Sequence, residues 1–142
     1  MVIKQRLPKS MMAIKEDSLI LIGSYFSKAV NKTQILEQFL DPLFTFVLMD
    51  YRDCHPEARE AEVLNMLAIL IDALNEQVVQ RIHGMFDFTF SQTLEMISKN
   101  FEDYPDHRKN FYVFLRSVTN HCFPGKMKPI VNQVERCCCF MI

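Results

Sequence analysis

Phe44-Thr45-Phe46 followed by Pro56-Glu57-Ala58-Arg59 recurs further along as Phe88-Thr89-Phe90 followed by Pro105-Asp106-His107-Arg108. The two Phe-Thr-Phe triplets lie 44 residues apart and the two Pro-acid-x-Arg starts 49 apart. Both are near the span of a helical-hairpin repeat, roughly 40–47 residues in the common families. Each Pro suits the first position of a helix, where φ is already helical and the missing N–H costs nothing. The acid after it faces the positive helix end. The pattern therefore predicts an all-α solenoid of antiparallel helix hairpins stacked side by side, with about two and a half repeats in 142 residues.

Working outward from those anchors, apolar residues recur at steps of three and four in five stretches. The spacing predicts helices over residues 11–30, 34–53, 57–75, 77–100 and 105–123. The expected inward stripes are Leu19, Ile22, Phe26 and Val30; Leu36, Leu40, Phe44, Val47 and Tyr51; Val63, Leu67, Leu70 and Leu74; Ile82, Phe86, Phe90, Leu94 and Ile97; and Phe111, Phe114 or Leu115, Val118 and Cys122. Thr33 is the expected N-cap of the second helix. Pro42 predicts a kink or break near residues 38–41. Asn75 is placed to end the third helix, and Gly84 weakens the fourth locally. Pro124-Gly125 stops the fifth. Residues 125–142 form a divergent tail, expected to pack poorly, with a short helix over 130–138. No full partner helix follows the fifth, so a cut solenoid end is expected there, open to self-association.

Three Gly leave little material for sheet turns, and 49% hydrophobic with 23% charged residues is ordinary for a folded domain. Charge is uneven. Residues 1–32 carry six Lys/Arg against two acids, residues 33–108 five against fourteen, and residues 109–142 five against one. An acidic middle argues against direct contact with nucleic acid, which needs a basic surface. It favours a partner with a basic face. Five Cys, an odd count without framework spacing, fit a reducing compartment. The apolar runs fall short of the ~20 residues of a membrane span, so no membrane partner is expected.

The chemistry-bearing residues assemble no catalytic or metal motif. Cys54-His55 and His121-Cys122 supply two thiols and two imidazoles, but adjacent ligands diverge and the pairs lack the C-x₂₋₄-C spacing of zinc sites. A Cys–His nucleophile is similarly unsupported, since three scattered Gly build no loop for an oxyanion or phosphate. His83 and His107 read as solvated surface residues, and Asp50, Asp53 and Glu57 as carboxylates in water at a helix corner. Met11, Met12 and Met85 read as fillers of core gaps. The reading is that of a non-enzyme with no cofactor and no metal. The C-terminal Cys137-Cys138-Cys139-Phe140-Met141-Ile142 stands apart. Cys139 has the position of a C-a-a-X prenylation box, with Lys126, Lys128 and Arg136 upstream, although Ile is not a usual last residue. An alternative reading is thus a lipid-anchored helical interaction module.

Several stretches resemble the exportin family that carries leucine-rich nuclear export signals, the exportin-one receptors of the importin-β superfamily. They are Met1-Val2-Ile3-Lys4-Gln5, Met12-Ala13-Ile14-Lys15-Glu16, Phe39-Leu40-Asp41-Pro42-Leu43, Val47-Leu48-Met49-Asp50-Tyr51 and Ala58-Arg59-Glu60-Ala61-Glu62-Val63-Leu64. Most specific are Asn100-Phe101-Glu102-Asp103-Tyr104-Pro105-Asp106-His107-Arg108 and Asn120-His121-Cys122-Phe123-Pro124. The resemblance covers residues 1–124, and the tail departs from it. It implies HEAT-type repeats from the C-terminal half of such a receptor. It also implies protein partners (Ran-GTP, export cargo and nucleoporins) and shuttling between nucleus and cytoplasm. Neither Cys54 nor Cys122 corresponds to the reactive cysteine of the family's signal groove, which lies in other repeats.

Overall fold

The computed structural model describes residues 8–100 and 102–122, together with Asn132. Four long α-helices and one helical run in mixed register account for most of them, and no strand occurs among the described residues. Helix α1 is Lys9–Lys28. Helical run α2 covers residues 32–53. Helix α3 is Glu62–Leu74, α4 is Val79–Ser98 and α5 is Pro105–Cys122.

α1 stops early because Ala29 turns extended, at ψ 128°. Val30, expected inside, is thereby thrown into water and is 98% exposed. Asn31, not Thr33, caps α2: its Oδ1 accepts from the Gln34 amide at 3.2 Å. Pro42 does not break the run, which stays helical through residues 32–53. The chain instead widens into π-register on both sides of it, over Ile35–Phe39 and Leu43–Leu48. Pro42 has no N–H for the α-ladder, and its ring crowds the carbonyl four residues back; a wider turn relieves both.

α3 begins five residues later than expected. Pro56–Ala58 forms a separate 3₁₀ turn, with His55 Nδ1 accepting from the Glu57 amide at 3.2 Å. Arg59 is extended, at ψ 125°, before the chain re-enters a helix at Glu62. At the other end Asn75, at φ 50° and ψ −126°, leaves the helical conformation and ends α3. A 3₁₀ turn, Asn75–Val78, leads straight into α4. α5 starts at Pro105, after Tyr104 at φ 54°.

The helices form two layers. α1, α3 and α5 run parallel side by side in one: Gly23 lies against Met66 and Ile69, and the Asn110 side chain donates to Ala61 O at 3.0 Å. α2 and α4 form the other. There Phe44 meets Phe88 edge-on, at 5.9 Å between ring centres, and Tyr51 reaches Thr93. Within the first hairpin the helices are antiparallel, since Lys15 meets Asp50 while Tyr25 meets Phe39. α3 is the centre of the core and is buried on nearly every side, through Val63, Leu64, Met66, Leu67, Ala68, Leu70, Ile71 and Leu74.

Layering explains the two sequence periods. In the first layer, Ala61 with Asn110 and Asp72 with His121 each bridge 49 residues. In the second, Tyr51 reaches Thr93 across 42 residues. Gly84 belongs to this contact: a Cβ there would stand 2.8 Å from Phe44 Cε1, so the missing side chain is what admits the ring.

Candidate functional site

The recurrent Pro-acid-x-Arg pattern does more than start helices. Arg59 donates from Nε to Tyr51 O at 2.8 Å and from Nη2 to Arg52 O at 3.0 Å. Arg108 donates from Nη2 to Ile97 O at 2.7 Å and to Asn100 O at 3.2 Å. In both repeats the guanidinium returns to the end of the preceding outer helix and satisfies carbonyls left without intrahelical donors. A positive charge at a helix C-terminus is also favoured by the helix dipole. For Arg59 this geometry requires the extended backbone that delays α3. The Arg repeated at the fourth position of each Pro-acid-x-Arg stretch is the sequence signal for these caps.

A polar cluster is buried where these corners meet. Thr93 Oγ1 donates to Thr89 O at 2.7 Å, so the Tyr51 hydroxyl must be the donor in the 2.6 Å contact to Thr93. Burial pushes the Tyr51 phenol up to about 12, although Thr93 and Arg59 oppose the shift. His107, expected in solvent, is 7% exposed, with its ring 6.4 Å from Tyr51 and 5.6 Å from Tyr104. Burial holds its imidazole down at about 4, against a backbone hydrogen bond with Arg59 and the Asp106 charge. The first turn of α5 lies over the end of α2, which no single-helix pattern shows.

The paired thiols and imidazoles go to different tasks. Cys54 is half-buried with Sγ 3.8 Å from Tyr51 O, and burial raises its thiol. His55 caps the Pro56 turn. His121 Nε2 lies 3.0 Å from Asp72 on α3. The Cys122 side chain, the lipidation candidate Cys139 and, apart from Asn132, the tail with its expected helix over 130–138 lie outside the described residues. Among the described residues no three of His, Cys, Asp and Glu stand together as a metal-binding group, and no helix is long and apolar enough to cross a membrane.

Two surfaces remain. One is acidic, at the corner between α2 and α3. There Asp50 pairs with Lys15 and Asp53 with Arg52. Glu16 and Glu62 surround Glu60, whose carboxyl is raised first by burial and further by their charges. The other is apolar. Met11, Ile14, Leu21 and Tyr25 of α1 and Phe39, Phe46 and Met49 of α2 are exposed, Leu21 by 72% and Phe46 by 74%. Met11 is therefore not a core filler. This second apolar stripe on α1 was present in the sequence but masked by the buried one.

Residues 1–135 match the protein family described as CRM1 C terminal. Exportin-1 of Drosophila melanogaster is 39% identical over 138 residues, covering 92% of this chain and 13% of its own length. Protein EXPORTIN 1A of Arabidopsis thaliana is 39% identical over 120 residues, 84% of this chain and 11% of its own. Exportin-1 of Schizosaccharomyces pombe is 38% identical over 133 residues, 89% of this chain and 12% of its own. The chain thus spans roughly an eighth of the length of these relatives. On a match that runs through every described helix and both Arg-capped corners, the chain belongs to the exportin-1 family, in the part described as CRM1 C terminal.

Proposed function

We propose that this chain works as the corresponding HEAT-repeat segment of a nuclear export receptor, a non-catalytic protein-binding scaffold that shuttles between nucleus and cytoplasm. Family membership over residues 1–135 is the observation that carries this reading. In such a receptor the bound proteins are Ran-GTP and export cargo. The contribution of this segment is its acidic corner, where Glu16, Glu60, Glu62, Asp50 and Asp53 offer a negative face to a basic protein surface. Such a contact speeds encounter and weakens with salt. The segment alone does not carry cargo, because the groove for the signal lies in other repeats.

The test is a pull-down of the chain with Ran-GTP and with a leucine-rich signal peptide, at low and at high salt. Salt-sensitive capture of Ran-GTP without capture of the peptide is the expected result. Micromolar or tighter binding of the peptide to this chain overturns the assignment of segment and role.

A further inference from the structure

We propose that α2 is a two-register switch: residues 35–48 close either as the widened helix of this structure or as an ordinary α-helix, each form burying its own set of side chains, with Pro42 holding the widened one. The widened register is written in the burial. Ile35, Leu40, Leu43, Leu48 and Tyr51 are the buried side chains of α2. They step by five across each π segment, Ile35–Phe39 and Leu43–Leu48, and by three after each. At 3.6 residues per turn, five residues overshoot a full turn by about 140°, so this set shares a face only where the turn is widened. The backbone agrees: Met49 N–H bonds Phe44 O, five residues back.

The same stretch carries a second set. Leu36, Leu40, Phe44, Val47 and Tyr51 step by four, four, three and four, the spacing of an ordinary α-helix. The two sets coincide at Leu40 and Tyr51, which are about three α-turns apart, so both anchors stay in place. What exchanges is Ile35, Leu43 and Leu48 against Leu36, Phe44 and Val47. The second trio is already half-buried and packed against the core, each one position from its counterpart.

Three large apolar side chains replace three others, so apolar burial does not choose between the forms. The backbone does. Pro42 lacks the N–H of an α-ladder and its ring crowds the carbonyl four residues back, which penalises the α form. π turns are rare, and two of them in one helix penalise the widened form. Opposed penalties within one element make it bistable. α4 takes part as well. Phe44 lies against Gly84, where a Cβ would stand 2.8 Å from the ring, and meets Phe88 edge-on. Turning Phe44 inward empties that notch, so the register of α2 and its seat on α4 change together. The register also sets what α2 offers a contacting protein, because the α form carries Ile35, Leu43 and Leu48 out of the core. A partner that prefers one form shifts the balance by its difference in affinity for the two.

The test compares the 142-residue chain with its Pro42→Ala variant, which restores the N–H and removes the ring. Scalar couplings across hydrogen bonds, read by NMR, identify the carbonyl that Met49 N–H bonds. Expected are Phe44 O in wild type and Thr45 O in Pro42→Ala. Wild type should also show microsecond–millisecond exchange at the methyls of Leu36, Leu43, Val47 and Leu48, and none at Leu40. Thermal melting supplies a second readout. In wild type Leu48→Gln should lower the midpoint by several degrees more than Val47→Gln, because Leu48 is fully buried and Val47 half-buried. In the Pro42→Ala background the order should reverse. Where a Gln variant does not fold, Leu48→Ala and Val47→Ala make the same comparison. Phe44 O as the acceptor in both proteins, no exchange in wild type, or the same order of midpoints in both backgrounds each overturn the proposal.

Discussion

Acidification should destabilise this fold through one residue, His107. Its imidazole is buried, and burial holds it at about 4 instead of the ordinary 6.5. The folded state therefore keeps His107 neutral while the unfolded chain takes up a proton. Stability from this group is complete above pH 6.5 and is lost progressively as pH falls toward 4. The linkage relation puts the loss between pH ~7.5 and ~5 at about 2 kcal/mol for this one side chain. Replacing it in His107→Phe retains an aromatic ring between Tyr51 and Tyr104 and removes the proton site. Urea midpoints for wild type and variant, measured at both pH values, isolate the effect, because carboxylates titrate alike in the two proteins. Wild type should lose about 2 kcal/mol more than the variant over that interval. Equal losses would refute the argument, since they would mean that His107 is solvated and protonates freely in the native state.

Four other perturbations test the corners and the second layer. Gly84→Ala gains about 1 kcal/mol of helix propensity but drives a methyl into the Phe44 ring, an overpacking cost of about 1–3 kcal/mol; the net melting shift should be downward, and a clear rise would show that the ring moves aside freely. Thr93→Val strands the buried Tyr51 hydroxyl and should cost about 1–3 kcal/mol in denaturant titration, more than Tyr51→Phe at about 1 kcal/mol, with the reverse order contradicting the donor assignment. Because the Tyr51 phenol is raised to about 12, its stabilisation is complete below pH 10 and lost as pH climbs through 12; phenolate absorbance that develops fully near pH 10 for all four Tyr of the native chain would disprove that burial. Arg59→Met leaves Tyr51 O and Arg52 O without their donor and should cost about 2 kcal/mol, with Arg59→Lys recovering little because a point charge cannot match the fork; full recovery by Lys would reduce the cap to simple charge.

Local sequence determined the helical class, the hairpin pairing, the start of α5 at Pro105 and the stop of α3 at Asn75. Each follows from local chemistry: apolar residues at steps of three and four, a ring that presets φ, an Asn that accepts a positive φ. The stripe of α3 was legible for a related reason. A helix flanked by a neighbour on either side and covered by a second layer is apolar nearly all round, so any helical spacing drawn through it lands on buried residues. The family relation was legible as well, through stretches such as Asn100 to Arg108. Tertiary structure decided what depends on residues far apart in the chain. Arg59 is drawn extended by carbonyls at the end of another helix, which moves the start of α3 from residue 57 to Glu62. His107 is buried because α5 crosses the end of α2. Gly84 is explained by a ring from 40 residues earlier. α1 carries two apolar stripes, and only the position of α3 settles that Leu19, Ile22 and Phe26 go inside. Met11, Ile14, Leu21 and Tyr25 stay outside, on the side of α1 turned away from α3.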